Sequence, residues 1–341
     1  MDGLKNGYQE LLESGNLAIA DMAMKCEAVF HDHERALVSI SGGSDSDVMM
    51  DVCERVRQVQ PIHIDYVWFD TGIEYRATKN HLAYLRERYG VEIIQRRAMK
   101  TIPVSCKEYG QPFLSKYVST IMGRLQSIGF DWSDEPYEEL LERYDGRQVS
   151  ALKWWCNKWT RVEGEAGWFD IGRYPYLKEF IIENPPTFKI SAKCCDYAKK
   201  RVSRAVERER ESDLVLTGVR RAEGGVRAAH KSCFDRGGHG TDTYRPLFWL
   251  SNSDKSEYDE KFGIIHSECY RTWGFARTGC AGCPFGRRRT EELEVLEKYE
   301  PSIAKACRKV FADSYEYTRQ FHEFREEMRA RESGQMRLSF D

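Results

Sequence analysis

The chain has 341 residues, 41% of them hydrophobic and 31% charged, with a net charge of −2. That length can bury one large core or two smaller ones, and the near-neutral balance gives no global field that would advertise nucleic acid or a membrane surface. No apolar run is long enough to span a bilayer, and residues 1–17 carry Asp2, Glu10 and Glu13 in place of an apolar signal core, so the expected compartment is the cytoplasm.

Residues 7–30 read as one amphipathic helix, with Leu11, Leu12, Leu17, Ile19, Met22 and Met24 among polar residues. His31-Asp32-His33 is read as a polar loop entering a strand. Ala36–Ile40 is a short apolar run that suits a buried parallel strand. Ser41-Gly42-Gly43-Ser44-Asp45-Ser46 is a tight turn of small residues, after which Val48, Met49, Val52 and Val56 recur at helical spacing. A strand, a glycine turn and a helix N-terminus make an anion cradle. The glycines let backbone approach a ligand, N–H groups point at it, and the helix dipole favours negative charge. Ser41, Ser44 and Ser46 add hydroxyls, and the ligand inferred is a polyphosphate such as that of ATP.

Ile64–Phe69 is a second buried strand ending at Asp70-Thr71-Gly72, Thr78–Tyr89 a helix, and Val91–Gln95 a third strand. This order predicts an α/β fold with a doubly wound parallel sheet and right-handed crossovers, in which ligands sit beyond the carboxyl ends of the strands. Residues 100–190 are less regular. There Trp154, Trp155 and Trp159 cluster with Lys153, Lys158 and Arg161, read as a hydrophobic patch in preference to a base-stacking platform. Asp196–Glu211 reads as a charged helix and Asp213–Leu216 as a fourth strand, ending at Thr217-Gly218-Val219-Arg220. Residues 223–245, rich in Gly, Arg and His, read as a mobile loop, and 290–332 as helical with a break near Pro301. The expected organisation is an N-terminal helical segment (1–33), a nucleotide-binding domain (34–222, with an insertion at about 100–190), and a cysteine-containing region with C-terminal helices (223–341).

Eleven cysteines are many for a cytoplasmic chain and point to metal, cluster or redox chemistry. Cys194-Cys195 and Cys280-Ala-Gly-Cys283 are the informative pairs. Adjacent cysteines diverge and suit one small tetrahedral zinc poorly, whereas neighbouring thiolates can each take a different iron of a four-iron cluster. A [4Fe-4S] cluster is therefore preferred. Zinc, a Cys280–Cys283 redox disulfide and plain buried thiols are the alternatives. Cys26, Cys53, Cys106, Cys156 and Cys307 read as small core residues, and Cys233 and Cys269 as incidental thiols with sulfur carriage as the alternative.

Ser41-Gly42-Gly43-Ser44-Asp45-Ser46 resembles the SGGxDS signature of the PP-loop ATP pyrophosphatases. Asp70-Thr71-Gly72 and Gly218-Val219-Arg220-Arg221-Ala222-Glu223 resemble the DTG and G-x-R-x-x-E segments of the phosphoadenosine-phosphosulfate (PAPS) reductase branch. The two cysteine pairs are similar to the cluster ligands of assimilatory adenylyl-sulfate reductases, and Arg277-Thr278-Gly279-Cys280 through Gly286 resembles the RTGC-x-x-CP-x-G stretch of uncharacterised members. The resemblance implies a helical C-terminal region on a PP-loop fold and ATP with Mg²⁺ as ligands. It implies nucleotide contacts from Ser41–Ser46, Asp70–Gly72, Gly218, Arg220 and Arg221, with Asp45 or Asp70 holding Mg²⁺ or ribose. It further implies Cys194, Cys195, Cys280 and Cys283 as metal ligands. Two departures stand out. The reductases' Glu-Cys-Gly-Leu-His motif is missing from Gln335–Asp341, and position 44 is Ser where Lys is common, so that Arg220, Arg221 and Arg227 are candidate replacements.

These readings favour an enzyme that adenylates a substrate oxygen for sulfur transfer, with Ser41, Asp45, Ser46, Asp70 and Arg220 as catalytic candidates. A cysteine desulfurase is the expected sulfur donor, a nucleic acid a candidate substrate, and a dimer a plausible state. The alternatives are a thioredoxin-dependent sulfonucleotide reductase, needing Cys233, Cys269 or Cys307 as nucleophile, and a non-catalytic nucleotide or nucleic-acid module using Arg287-Arg288-Arg289.

Overall fold

The computed structural model describes residues 6–159, 167–238, 240–286 and 288–338, so Arg161, Arg287 and the last three residues lie outside the described residues. Contacts group the chain into two compact units. Unit 1 comprises Met1–Thr101, Tyr197–Ala281 and Lys298–Ile303; unit 2 comprises Ile102–Asp196, Gly282–Glu297 and Ala304–Asp341. No helix among the described residues is long and apolar enough to cross a membrane.

Unit 1 is built on a six-stranded sheet in the order β3-β2-β1-β4-β6-β5. The strands are β1 (Arg35–Ser39), β2 (His63–Asp70), β3 (Ile93–Arg97), β4 (Leu214–Leu216), β5 (Phe234–Asp235) and β6 (Asp242–Tyr244). All neighbouring pairs are parallel except β5–β6, which is antiparallel. The doubly wound expectation therefore holds for β1–β4 and β6, with one reversed edge strand. The segment expected as a mobile loop supplies β5 and β6. It carries no apolar run, and it joins the sheet through backbone pairing and through Tyr244, which is buried in the core with Phe234 packed beside it.

Both faces of the sheet are covered, because alternate residues of β1 point to opposite sides. Ala36 and Val38 join the large core made with α1 (Gly7–Leu12), α2 (Leu17–His31), α3 (Ser44–Val56) and α4 (Arg76–Tyr89). Leu37 and Val67 pack on the other face against Val202 and Val206 of the helix Arg201–Glu209. The single N-terminal helix expected over 7–30 is two. Gly15 turns left-handed at φ +79°, and the Asn16 side chain accepts from the amides of Ala18 and Ile19, starting α2 afresh. The helix expected from Asp196 begins as a short turn at Lys193–Cys195 and a π-helical turn at Asp196–Lys200.

Unit 2 is helical where sequence patterning is weakest. Its core gathers Phe113, Trp154, Trp155, Phe180, Tyr317 and Phe321. Trp154 and Trp155 are fully buried, as the packing reading expects, while Trp159 is 42% exposed. Three C-terminal helices, Arg289–Tyr299, Pro301–Val310 and Ala312–Leu338, match the expected break at Pro301.

Candidate nucleotide site

The helix Arg201–Glu209, which leads into β4, packs on the face of the sheet opposite α3, so β1 and β4 flank the point where winding reverses. In such sheets the crevice beyond those strands' carboxyl ends receives the ligand. Ser41–Ser46 leaves β1 there, and Thr217–Arg220 leaves β4.

The loop holds its shape internally. Gly42 sits at φ +68°, and a Cβ on it would lie 2.8 Å from Thr78 Cγ2, so this position requires glycine. The Ser46 hydroxyl donates to Gly43 O at 2.7 Å, and the amides of Ser46 and Asp47 donate to the same carbonyl at 2.9 and 3.1 Å. The Ser41 hydroxyl accepts from the Gly43 amide at 3.3 Å. Ser46 is thus first of all a brace of the turn, and α3 starts at Ser44 with its N-terminus facing the crevice.

Gly218 closes against this start: a Cβ there would be 3.3 Å from Asp45 O. Arg220 Nε donates to Asp45 Oδ1 at 2.8 Å, and Arg220 Nη1 reaches Asn252 Oδ1 at 3.0 Å and Ser251 O at 3.3 Å. The structure therefore joins Ser41, Gly42, Gly43, Ser44, Asp45, Ser46, Gly218 and Arg220 in one constellation. Arg227 pairs with Glu223, and burial together with nearby Arg277 and Arg220 holds its guanidinium below the usual arginine range. Arg221 turns elsewhere, with its guanidinium 5.5 Å from the Trp249 ring.

Asp70-Thr71-Gly72 follows β2 at the next strand end. Asp70 accepts from the Gly72 amide and from Gln95 Nε2, both at 3.0 Å. Thr71 gives its amide and hydroxyl to the buried Glu74 carboxylate. Burial raises the Glu74 carboxyl, opposed by Lys199 and the Thr71 bonds.

Under the loop runs a buried polar relay that residue spacing gave no sign of. Asp47, fully buried in the first turn of α3, lies 2.9 Å from His81 Nε2 and 2.8 Å from His266 Nδ1. His266 Nε2 reaches Asp259 at 3.1 Å, and Asp259 also pairs with Lys255 at 2.6 Å. Burial opposes the imidazolium, but the two carboxylates prevail and push His266 up to about 9.

The expected metal ligands divide between the units. Cys194, Cys195 and Cys283 belong to unit 2, and Cys280 to unit 1. Within unit 2 the Cys194 thiol hydrogen-bonds with Cys106 and Cys195 and is within electrostatic reach of Cys283. The Cys106 thiol, with burial, pushes Cys194 well above the usual thiol range. Cys106 comes from the helix Ile102–Tyr109, which packs on the turn Lys193–Cys195. A lone cysteine on an amphipathic helix reads as core, so sequence spacing gave no sign of this neighbour. Cys307 lies beside Gly282, where an added Cβ would be 2.8 Å from its Sγ. Among the described residues no group of three or more His, Cys, Asp or Glu is arranged to hold a metal ion. The three thiols that act on Cys194, those of Cys106, Cys195 and Cys283, are soft donors of the kind an iron–sulfur site uses. Cys269, a candidate carrier, is fully buried, and burial pushes its thiol up to about 11, which leaves little thiolate at neutral pH.

Two residues of the arginine run after Cys283, Arg288 and Arg289, are described. Arg289 lies 5.1 Å from the Tyr315 ring and burial lowers its pKa, while Arg288 faces Glu291 at 3.8 Å.

Residues 35–122 match the family model of the phosphoadenosine phosphosulfate reductase domain. No curated protein matches the chain. Among solved structures, the chain is similar to the phosphoadenylyl-sulfate (PAPS) reductase from Candida auris in a phosphate complex, at 11% identity over 73% of this chain and 82% of that one (TM-score 0.38). It is similar to the U34-tRNA thiolase NcsA from Methanococcus maripaludis with its [4Fe-4S] cluster, at 15% identity over 91% and 79% (TM-score 0.39). It is also similar to the NH3-dependent NAD synthetase from Campylobacter jejuni subsp. jejuni NCTC 11168 with nitrate, at 10% identity over 91% and 95% (TM-score 0.36). Likenesses this distant carry no argument about activity.

Proposed function

We propose that this chain, whose residues 35–122 match the phosphoadenosine phosphosulfate reductase domain model, is an ATP pyrophosphatase-type enzyme that adenylates a substrate oxygen for sulfur transfer. The observation that carries this reading is the constellation of an α3 N-terminus, a glycine turn braced by Ser46, and the Asp45–Arg220 pair at the β1/β4 crevice. Backbone N–H groups there meet a polyphosphate, and the helix dipole adds to their field.

A substrate oxygen attacks the α-phosphorus of ATP. The new O–P bond forms as the bond to the β-phosphate oxygen breaks, and pyrophosphate leaves with that electron pair. A sulfur nucleophile then displaces AMP from the adenylated carbon. The loop amides, Arg220 and Arg227 stabilise charge growing on the departing pyrophosphate. Asp45 orients Arg220. Asp70, anchored on its own turn, is the proposed holder of Mg²⁺ or the ribose. A [4Fe-4S] cluster would be held by Cys194, Cys195 and Cys283 with Cys106 beside them, supplying a sulfur-binding iron or local charge; none of the steps above depends on it. The sulfur donor is proposed to be a cysteine desulfurase, and the acceptor a nucleic acid or a small molecule.

Pyrophosphate release from ATP by Ser46→Ala and Asp45→Ala tests this reading. Loss in both is expected, and undiminished release in both overturns it. The family model's own name favours a second reading, reduction of a sulfonucleotide with thioredoxin. With Cys269 and Cys307 buried, its nucleophile would fall to Cys233. Sulfite formation from PAPS or adenylyl sulfate, lost in Cys233→Ser, would establish it in place of the first.

A further inference from the structure

We propose that the phosphate loop has a second wall, made by Tyr270, Arg277 and Thr278, which contacts the β- and γ-phosphates of the nucleotide. The inference rests on the nucleotide-site reading above and assigns the residues that distinguish a triphosphate from a monophosphate.

The first ground is proximity. A Cβ placed on Gly43 would lie 3.2 Å from Tyr270 Oη and 3.3 Å from Thr278 Oγ1. Two hydroxyls therefore face the backbone of the phosphate loop from a segment more than 220 residues away in the chain.

The second ground is hydrogen bonding. Tyr270 Oη accepts from the Thr278 amide at 3.0 Å, and the two hydroxyls meet at 2.9 Å, a contact in which either can donate. A phenol and a threonine hydroxyl carry one proton each. One proton closes their mutual contact, and the other is left to be directed to an incoming phosphate oxygen.

The third ground is charge. The first turn of α3 carries Asp45 and Asp47 and no cation, so the loop cannot neutralise a polyphosphate from its own residues. Asp45 is matched by Arg220, and Asp47 by His81 and His266. Arg277, exposed and adjacent to Thr278, lies close enough to Arg227 to oppose its charge, as does Arg220. Three guanidiniums gathered against two carboxylates, Asp45 and Glu223, leave one positive charge over beside a helix N-terminus. A polyphosphate satisfies it.

The test is titration calorimetry of the full chain with ATP, pyrophosphate and AMP. Arg277→Ala and Thr278→Val should each weaken ATP and pyrophosphate by about tenfold or more while moving AMP less than about twofold. Tyr270→Phe should shift ATP affinity and leave AMP unmoved. Arg277 is exposed and Val has nearly the shape of Thr, so both variants should melt as the wild type does. If the wild type binds ATP and both variants match it within about twofold, or lose AMP equally, the second wall is wrong. If the wild type binds none of the three ligands, the nucleotide-site reading itself fails.

Discussion

The Asp45–Arg220 pair ties the two strand-end loops of the crevice together, and its energy is measurable by a double-mutant cycle. Its side chains are 19% and 9% exposed, which places it between two known limits. Exposed pairs contribute about 0.2–1 kcal/mol, and breaking a fully buried pair costs about 3–5 kcal/mol. Arg220 also serves Ser251 O and Asn252 Oδ1, and each lost hydrogen bond is worth about 0.5–1.5 kcal/mol. Asp45 keeps about 0.3–1 kcal/mol from the α3 dipole even without its partner. Arg220→Met should therefore cost about 2–4 kcal/mol, Asp45→Asn about 1–2 kcal/mol, and their coupling should be about 1–2 kcal/mol. Urea unfolding of the four proteins at pH 7 gives the cycle. A coupling below about 0.3 kcal/mol, the range of simple additivity, would refute the reasoning.

The His266 relay gives a stability profile with pH. A histidine raised from 6.5 to about 9 stabilises fully below its unfolded value and loses that contribution as pH climbs through the folded one. The melting temperature should fall between about pH 6.5 and 9, and His266→Gln should flatten that slope; an unchanged slope in the variant counts against the relay. Trp154 is fully buried, and among the described residues its indole N–H has no hydrogen-bond partner. Trp154→Ala should cost about 3–5 kcal/mol in denaturant unfolding, but Trp154→Phe less than about 1.5 kcal/mol, since no bond is lost. Equal losses in the two would mean the N–H is satisfied after all.

The parts legible in the sequence were those whose local chemistry admits one outcome. Ala36–Ile40 and Ile64–Phe69 are apolar runs too short for helices, and Ser41–Ser46 can hardly be anything but a turn into a helix. Their placement at neighbouring strand ends followed from handedness rules alone. What escaped depended on partners distant in sequence. Strands β5 and β6 amount to five residues without apolar alternation; β6 is stabilised by pairing to β4, and β5 by pairing to β6. The break at Gly15 is hidden because apolar spacing runs through it. Arg277-Thr278 was visible as part of a motif, yet only the folded chain sets Thr278 and Tyr270 against Gly43. Asp47 looked like one more acidic residue at a helix start until His81 and His266 closed on it from two directions.

The sheet's two ends are protected by different means. Towards β4, the short return strand β5 covers β6 antiparallel, so the edge offered to another chain is two residues long. At the opposite end β3 is five residues and open, but it reads Ile-Ile-Gln-Arg-Arg, with Arg96 tied to Glu209. A neighbour strand adding there would have to accommodate two guanidiniums, and charged edges of this kind discourage such pairing. The chain can therefore display loops at the strand ends without offering its flanks for self-association through the sheet. Replacing Arg96 and Arg97 with threonine would remove that protection while leaving the crevice residues in place.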